Sequence, residues 1–124
     1  MKRVLIVEDD DHLRRVLRTL MEAEGFEVEE AADGLAGIEA AGASPPDCIL
    51  TDTLMPRLDG LDMLARLAKE GRGAPAILVS AVHQLPPREA LVRLGVREVF
   101  GKPFAFDALV EAVRRVIEGA ESKR

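Results

Sequence analysis

Short apolar runs recur along the chain at nearly regular intervals and are separated by segments of a different periodicity. Five runs have the length of strands, at 4–7, 26–31, 47–50, 76–79 and 96–100. The first and fourth are apolar throughout, as interior strands covered on both faces should be. The run at 26–31 alternates apolar and acidic residues, which is typical of an edge strand. The pattern therefore predicts five strands, one of them at an edge.

The intervening segments carry the three-to-four-residue spacing of amphipathic helices. The clearest apolar face is formed by Leu13, Val16, Leu17, Leu20 and Met21. Similar faces occur at 61–68 and 109–117, with weaker helical patterns at 34–41 and 87–94. Asp10 or Asp11 is placed to cap the first helix. Four glycines follow helical segments where a left-handed residue commonly ends a helix: Gly25, Gly42, Gly71 and Gly95.

Strands that alternate with helices predict an α/β fold of three layers, with a parallel sheet between two layers of helices. A length of 124 residues suits one domain. We therefore assign residues 1–124 to a single domain, with its core at about 3–118 and a polar tail at 119–124. Apolar residues make up 48% of the chain and charged residues 31%, a balance that argues against disorder.

Charge and composition exclude several functional classes. The net charge is −5 and the basic residues are scattered, so we expect no nucleic-acid binding by this domain. No apolar run approaches the ~20 residues of a membrane-spanning helix, and we expect a cytoplasmic protein with no membrane association. Cys48, the only cysteine, is interpreted as a small buried hydrophobe. His12 and His83 lack ligand partners at the spacing of a zinc site.

Polar side chains follow four of the five predicted strands. Glu8 and Asp9 follow the first strand, Asp52 ends the third, Ser80 follows the fourth, and Lys102 comes just after the fifth. Each could have an ordinary explanation as a cap, a turn residue or a surface charge. The carboxyl ends of parallel strands, however, share one edge of the sheet, where ligands bind. We therefore expect these five side chains to converge on one site.

The residue types at this edge suit phosphoryl chemistry. Neighbouring carboxylates repel each other and favour a bound cation, and Mg²⁺ prefers oxygen ligands while also binding phosphate oxygens. Phosphoryl transfer requires mainly positioning and charge neutralisation, and a carboxylate can act as the nucleophile. We assign that role to Asp52, with Lys102 as a second positive charge and Ser80 as a hydroxyl donor to the phosphoryl group.

Four motifs in order, VLIVEDD, ILTDTLMPRLDG, AILVSA and FGKPF, resemble the receiver domain of bacterial two-component response regulators over about residues 3–118. The resemblance implies a flavodoxin-like (βα)5 fold with strand order 2-1-3-4-5. It also implies a signalling phosphoacceptor rather than an enzyme that acts on other molecules. The implied partners are a histidine kinase or phosphotransfer protein, a downstream effector or output domain, and a second copy in a phosphorylation-dependent dimer.

Specific roles follow from the resemblance. Glu8 and Asp9 match the acidic pair that holds Mg²⁺, with Asp9 as the more direct ligand, and Asp52 matches the phosphoacceptor. The backbone carbonyl of Leu54 would be a further ligand. The side chain of Leu54 and that of Val82 correspond to positions that flank the hydrolytic water, and their apolar character predicts slow loss of the phosphoryl group.

The resemblance also assigns the switch residues and exposes one departure. Ser80 matches the switch hydroxyl and Lys102 the lysine beside the phosphoryl group, with a cis bond implied before Pro103. The family's usual switch aromatic, three residues before the lysine, is replaced by Val99. Phe100 is adjacent, but neighbouring strand residues point to opposite faces, so we do not expect it to substitute.

Two other functions remain as alternatives. The first is a receiver-like interaction module that works without phosphorylation, which the loss of the aromatic at Val99 leaves open. The second is a haloacid-dehalogenase-type phosphatase, which also uses an aspartyl nucleophile with Mg²⁺. That family requires a second aspartate two residues after the nucleophile, where this chain has Leu54. A dinucleotide-binding fold is disfavoured because no glycine-rich loop follows the first strand.

Overall fold

The computed structural model describes residues 1–81 and 84–122, and over these residues strands and helices alternate strictly. The elements in chain order are β1 (Arg3–Val7), α1 (Asp11–Ala23), β2 (Glu27–Ala31), α2 (Gly34–Ala43), β3 (Cys48–Thr51), α3 (Gly60–Lys69), β4 (Ala76–Ser80), α4 (Arg88–Arg93), β5 (Val96–Gly101) and α5 (Phe106–Ser122). Each lies over the run or helical segment that predicts it. The five strands and five helices expected from the sequence are thereby confirmed.

The strands form one parallel sheet in the order β2-β1-β3-β4-β5. The predicted fold and strand order are confirmed, and β2 lies at an edge as its alternating acids indicate. From β1 the chain moves outward to β2 and then returns to place β3 on the other side of β1. The loops that follow β1 and β3 therefore diverge, and the crevice between them lies at the carboxyl ends of the strands.

Successive residues of the central strands feed two separate apolar cores. Val4 and Ile6 of β1 pack against α1 and α5, whereas Leu5 and Val7 pack on the opposite face against α2, α3 and α4. Cys48 is fully buried in the first core, as predicted, and its burial raises the pKa of the thiol to about 12. Because helices cover both faces of the sheet, a site that solvent can reach lies at an edge of the sheet.

Most of the helix caps that the sequence predicts are present in the structure. The Asp10 carboxylate accepts a hydrogen bond from the Leu13 N–H at 3.0 Å and caps α1. The glycines that follow α1, α3 and α4 have positive φ angles, as predicted for Gly25, Gly71 and Gly95. The prediction for Gly42 is wrong. Gly42 lies inside α2, which continues one residue further and is capped at Ser44.

The C-terminal helix α5 extends to Ser122, so the start of the predicted polar tail is helical. Residues 123–124, and the predictions for Val82 and His83, lie outside the described residues. Within the described part of the chain, no helix combines the length and apolar character needed to cross a membrane.

Candidate functional site

The sheet brings the predicted site residues to a single edge. Glu8 directly follows β1, and its N–H donates to the carbonyl of Ala31 at 3.0 Å. Asp52 directly follows β3, and its N–H donates to the carbonyl of Val7 at 3.0 Å. The parallel ladder therefore continues to the two acids and fixes their backbones side by side. Ser80 is the last residue of β4.

The three predicted acids form a compact cluster. Carboxylate oxygens of Glu8, Asp9 and Asp52 lie within 4.8 Å of one another. Glu8 is 2% exposed and Asp52 9%, whereas Asp9 faces solvent. A donor set made only of oxygens, open to water on one side, fits a hard divalent cation such as Mg²⁺. No other group of three potential ligands of this kind occurs among the residues that the structure describes.

Lys102 bridges the two buried acids. Its Nζ donates to Glu8 Oε1 and to Asp52 Oδ2, each at 3.0 Å. Burial lowers the pKa of the Lys102 ammonium, but the hydrogen bonds to Glu8 and Asp52 outweigh that effect and raise the pKa above its usual value. The lysine follows β5, where its N–H donates to the carbonyl of Ser80 at 3.0 Å and its bond to Pro103 is cis, as predicted.

The charge of the buried Glu8 carboxylate is favoured by neighbouring hydrogen-bond donors and positive charge. Burial raises the pKa of the Glu8 carboxyl group, and the nearby negative charge of Asp52 acts in the same direction. Hydrogen bonds from Lys102 and from the N–H of Asp10 oppose the increase without cancelling it. A carboxylate in this position gains more from a bound cation than one in water does. The site thus combines a surplus of negative charge with one fixed positive charge.

A pair of buried hydroxyls lies beside the acids. Ser80 Oγ and Thr53 Oγ1 are 2.5 Å apart, and the two residues are 2% and 4% exposed. The sequence predicted a role for Ser80 but none for Thr53. A hydroxyl directly after Asp52, in the loop that follows the strand next to β4, is the signal that could have identified it.

The loop between β3 and α3 is fixed at several points that the sequence did not indicate. The N–H of Thr53 donates to Asp52 Oδ1 at 2.6 Å, and the carbonyl of Thr53 accepts from the N–H of Gly60 at 2.7 Å. Arg57, with φ of 67°, forms two hydrogen bonds to Asp33, at 2.9 and 3.0 Å. Leu54 lies in this loop with its side chain exposed. The metal-binding role of its carbonyl stays a prediction.

Val99 lies on β5 with its side chain 45% exposed. Its neighbour Phe100 packs into the core that β4 shares with α5 and contacts the ring of Phe104 edge-on at 6.5 Å. Glu98 also points toward α5, where it pairs with Arg115. Because side chains alternate along a strand, Val99 faces away from α5. Phe100 therefore does not occupy the place of the missing aromatic.

Comparison with known proteins points to one family. The model of the response regulator receiver domain matches residues 4–114. The response regulator MprA of Mycobacterium ulcerans is 33% identical over 115 residues, which are 93% of this chain and 50% of that protein. The chain thus spans about half the length of the curated relatives it matches.

Solved structures show the same likeness across nearly the whole chain. A CheY-like response regulator receiver domain from Methanospirillum hungatei has a TM-score of 0.91 and 26% identity, covering 100% of this chain and 99% of that one. The response regulator TrrA of Thermotoga maritima, solved in complex with Mg²⁺-BeF, has a TM-score of 0.82 and 28% identity, covering 94% of this chain and 99% of that one.

Proposed function

Because the chain belongs to the response regulator receiver domain family, we propose that Asp52 accepts a phosphoryl group and that this modification switches a partner-binding surface. The observation that carries the proposal is the position of Lys102, whose Nζ contacts both Glu8 and Asp52 at 3.0 Å. A cation held between two buried carboxylates at a strand end suits a site that receives a dianionic group.

In the proposed reaction a carboxylate oxygen of Asp52 attacks the phosphorus of a donor. An oxygen–phosphorus bond forms, the bond to the donor breaks, and the donor group leaves with its electron pair. Lys102 neutralises charge on the transferred group, and Ser80 donates its hydroxyl proton to a phosphoryl oxygen. The acyl phosphate formed is the signalling state, so the domain catalyses only its own phosphorylation and dephosphorylation.

The same proposal includes a metal site. Glu8, Asp9 and Asp52 would hold Mg²⁺, together with the backbone carbonyl of Leu54. When bound, Mg²⁺ supplies charge neutralisation at the phosphoryl oxygens. Support comes from the clustered oxygens, from the burial that raises the pKa of Glu8, and from the Mg²⁺-BeF complex of the Thermotoga maritima relative.

The proposed partners are those of a signalling receiver. A histidine kinase or phosphotransfer protein would donate the phosphoryl group, and an effector or output domain would read the switched surface, with a phosphorylation-dependent dimer as a further assembly. We take residues 1–124 as one receiver domain that works in the cytoplasm. The buried free thiol of Cys48 suits such a reducing compartment. A phosphatase activity is not proposed, since Leu54 stands where a second acid is required.

Intact-mass measurement after incubation with acetyl phosphate tests the proposal. We expect one phosphoryl group to be added in the presence of Mg²⁺ and none after chelation. Asp52→Asn should remove the labelling because it lacks the nucleophilic oxygen, whereas Asp107→Asn, an exposed acid at the start of α5, should label as the wild type does. Labelling that persists in Asp52→Asn would contradict the assignment. An unlabelled wild type would favour the phosphorylation-independent interaction module.

A further inference from the structure

We infer that Thr53 is a positioning residue whose hydroxyl holds the Ser80 hydroxyl in a resting orientation and releases it when Asp52 is phosphorylated. The inference rests on the proposed function and adds a regulatory contact to it. Its basis is the 2.5 Å separation of Thr53 Oγ1 and Ser80 Oγ, both buried beside the phosphoacceptor.

Thr53 is held rigidly enough to act as an anchor. On one side its N–H donates to Asp52 Oδ1 at 2.6 Å, and on the other its carbonyl accepts from the N–H of Gly60 at 2.7 Å. Gly60 is packed so closely that a Cβ built there would lie 1.9 Å from the carbonyl oxygen of Asp52. The backbone of Thr53 therefore cannot shift without moving α3. Its β-branched side chain also has few rotamers.

The backbone of Ser80 is held in the sheet. Ser80 belongs to β4, and its carbonyl accepts from the N–H of Lys102 at 3.0 Å. Rotation about the Cα–Cβ bond is the one motion that turns its hydroxyl without breaking the ladder. A serine hydroxyl carries a single proton. Either hydroxyl can donate in the contact between Ser80 and Thr53, and in both cases Ser80 leaves that contact when it turns its proton toward a phosphoryl oxygen.

The negative charge of the phosphoryl group favours rotation of the Ser80 hydroxyl away from Thr53. An anionic phosphoryl oxygen is a stronger hydrogen-bond acceptor than a neutral hydroxyl, so Ser80 turns toward it once Asp52 is modified. Before modification, the contact with Thr53 favours the resting orientation. Because the contact exists only in the resting state, removing it must shift the equilibrium toward the active orientation. A neutral hydrogen bond of this kind corresponds to a change of about two- to tenfold in an equilibrium constant.

Beryllofluoride with Mg²⁺, a stable mimic of the phosphoryl group, provides the measurement by titration calorimetry. Thr53→Val removes the hydroxyl and keeps the side-chain shape, and we expect it to bind beryllofluoride about two- to tenfold more tightly than the wild type does. Thr53→Ser keeps a hydroxyl and should retain the affinity of the wild type. Ser80→Ala should bind more weakly, and adding Thr53→Val to it should produce no gain, because the Ser80 hydroxyl that Thr53 contacts is gone.

Scalar couplings at the Ser80 β protons provide a second readout on the free protein. Thr53→Val should shift the rotamer populations of Ser80 relative to the wild type, whereas Thr53→Ser should leave them unchanged. Thr51→Val is the matched control, since it removes another buried hydroxyl beside Asp52, one that bonds the Asp52 carbonyl oxygen at 2.8 Å. It should leave the Ser80 rotamer as in the wild type.

The outcomes separate the inference from the proposed function. Unchanged or weaker beryllofluoride binding by Thr53→Val, or an equal gain in the Ser80→Ala background, would overturn the role of Thr53 alone. A wild type that binds no beryllofluoride and accepts no phosphoryl group would overturn both. Tighter binding that depends on Ser80, together with shifted Ser80 rotamer populations in the free Thr53→Val protein, supports the inference.

Discussion

Gly60 shows how one missing side chain shapes the site. It is the first residue of α3, and a Cβ built on it would lie 1.9 Å from the carbonyl oxygen of Asp52 and 3.0 Å from Thr51 Oγ1. The contact is with backbone, which cannot swing aside as a long side chain can. Only glycine lets the helix start against the backbone of Asp52. The loop carrying Thr53 is compact for the same reason.

We expect Gly60→Ala to lower the free energy of unfolding by about 2–3 kcal/mol, because the extra methyl group overpacks a fixed backbone. It should also slow phosphorylation of Asp52 by acetyl phosphate. Gly119→Ala is the matched control: Gly119 lies in α5 with no atom within 4 Å of a built Cβ, and the change should stabilise the protein by about 0.5–1 kcal/mol through helix propensity. Urea unfolding followed by circular dichroism measures both. Equal stability of the two variants would contradict the prediction.

The start of α2 is linked to the loop between β3 and α3 by a single carboxylate. The Asp33 carboxylate caps the helix by accepting from the N–H of Ala36 at 2.8 Å and also pairs with Arg57 of the β3–α3 loop. Arg57 adopts a left-handed φ of 67°, which is unusual for a residue other than glycine. One carboxylate thus satisfies an open helix end and holds the loop that follows Asp52.

The pH dependence of stability tests this double role. The Ala36 N–H, followed by Arg57, holds the pKa of the Asp33 carboxyl below its usual value of 3.8. A carboxyl group with a lowered folded-state pKa contributes stability above its unfolded pKa and loses it as the pH falls through the folded value. We expect Asp33→Ala to cost about 1 kcal/mol at pH 7. The difference from the wild type should shrink toward about pH 3.

Asp33→Asn distinguishes the contribution of helix capping by Asp33 from that of its negative charge. Asparagine caps helices well but lacks the charge that pairs with Arg57, so it should cost less than Asp33→Ala. The pair with Arg57 is more than half exposed on the arginine side, and such pairs contribute little. Urea unfolding at several pH values measures all three proteins. A gap between the wild type and Asp33→Ala that widens as the pH falls would contradict the assignment.

On the scale of the whole molecule, the question is how a change at Asp52 reaches the surface. Ser80 ends β4, which pairs with β5 through Leu78 and Val99. In the family pattern an aromatic at the position of Val99 fills the space that the switch hydroxyl leaves. Val99 is small and half-exposed, while Phe100 is committed to the core on the other face. We therefore expect this chain to lack the part of the differential interaction that an aromatic at this position would supply.

We expect beryllofluoride binding to cause only a small change in amide hydrogen exchange across α4 and β5, over residues 88–100. Val99→Tyr should enlarge that change, because it restores a ring that can exchange between exposed and buried positions. Hydrogen exchange with mass detection measures both proteins with and without beryllofluoride. Large protection changes at 96–100 that are lost in Ser80→Ala but insensitive to Val99→Tyr would show a full relay operating without the aromatic.

The local pattern of the sequence predicted the elements well because hydrophobic periodicity is imposed by each element's own geometry. The five strands, their parallel arrangement and the edge position of β2 follow from runs of a few residues. The convergence of Glu8, Asp9, Asp52, Ser80 and Lys102 followed from one topological rule, that parallel strands share a carboxyl edge. Gly42 was misassigned because a glycine inside a helix and one that ends it look alike until the last turn is known.

The fold, the order of the strands through the family resemblance, and the residues that meet at the site could thus be predicted from the sequence alone. Tertiary structure decided the contacts that depend on distances between elements far apart in the chain. The bond between Thr53 and Ser80 joins residues 27 positions apart, and the pair of Arg57 with Asp33 joins residues 24 apart. Such contacts depend on the register and depth at which two elements pack, which no local pattern encodes. The same packing brings Gly60 against Asp52, since only the assembled sheet and helix set that distance.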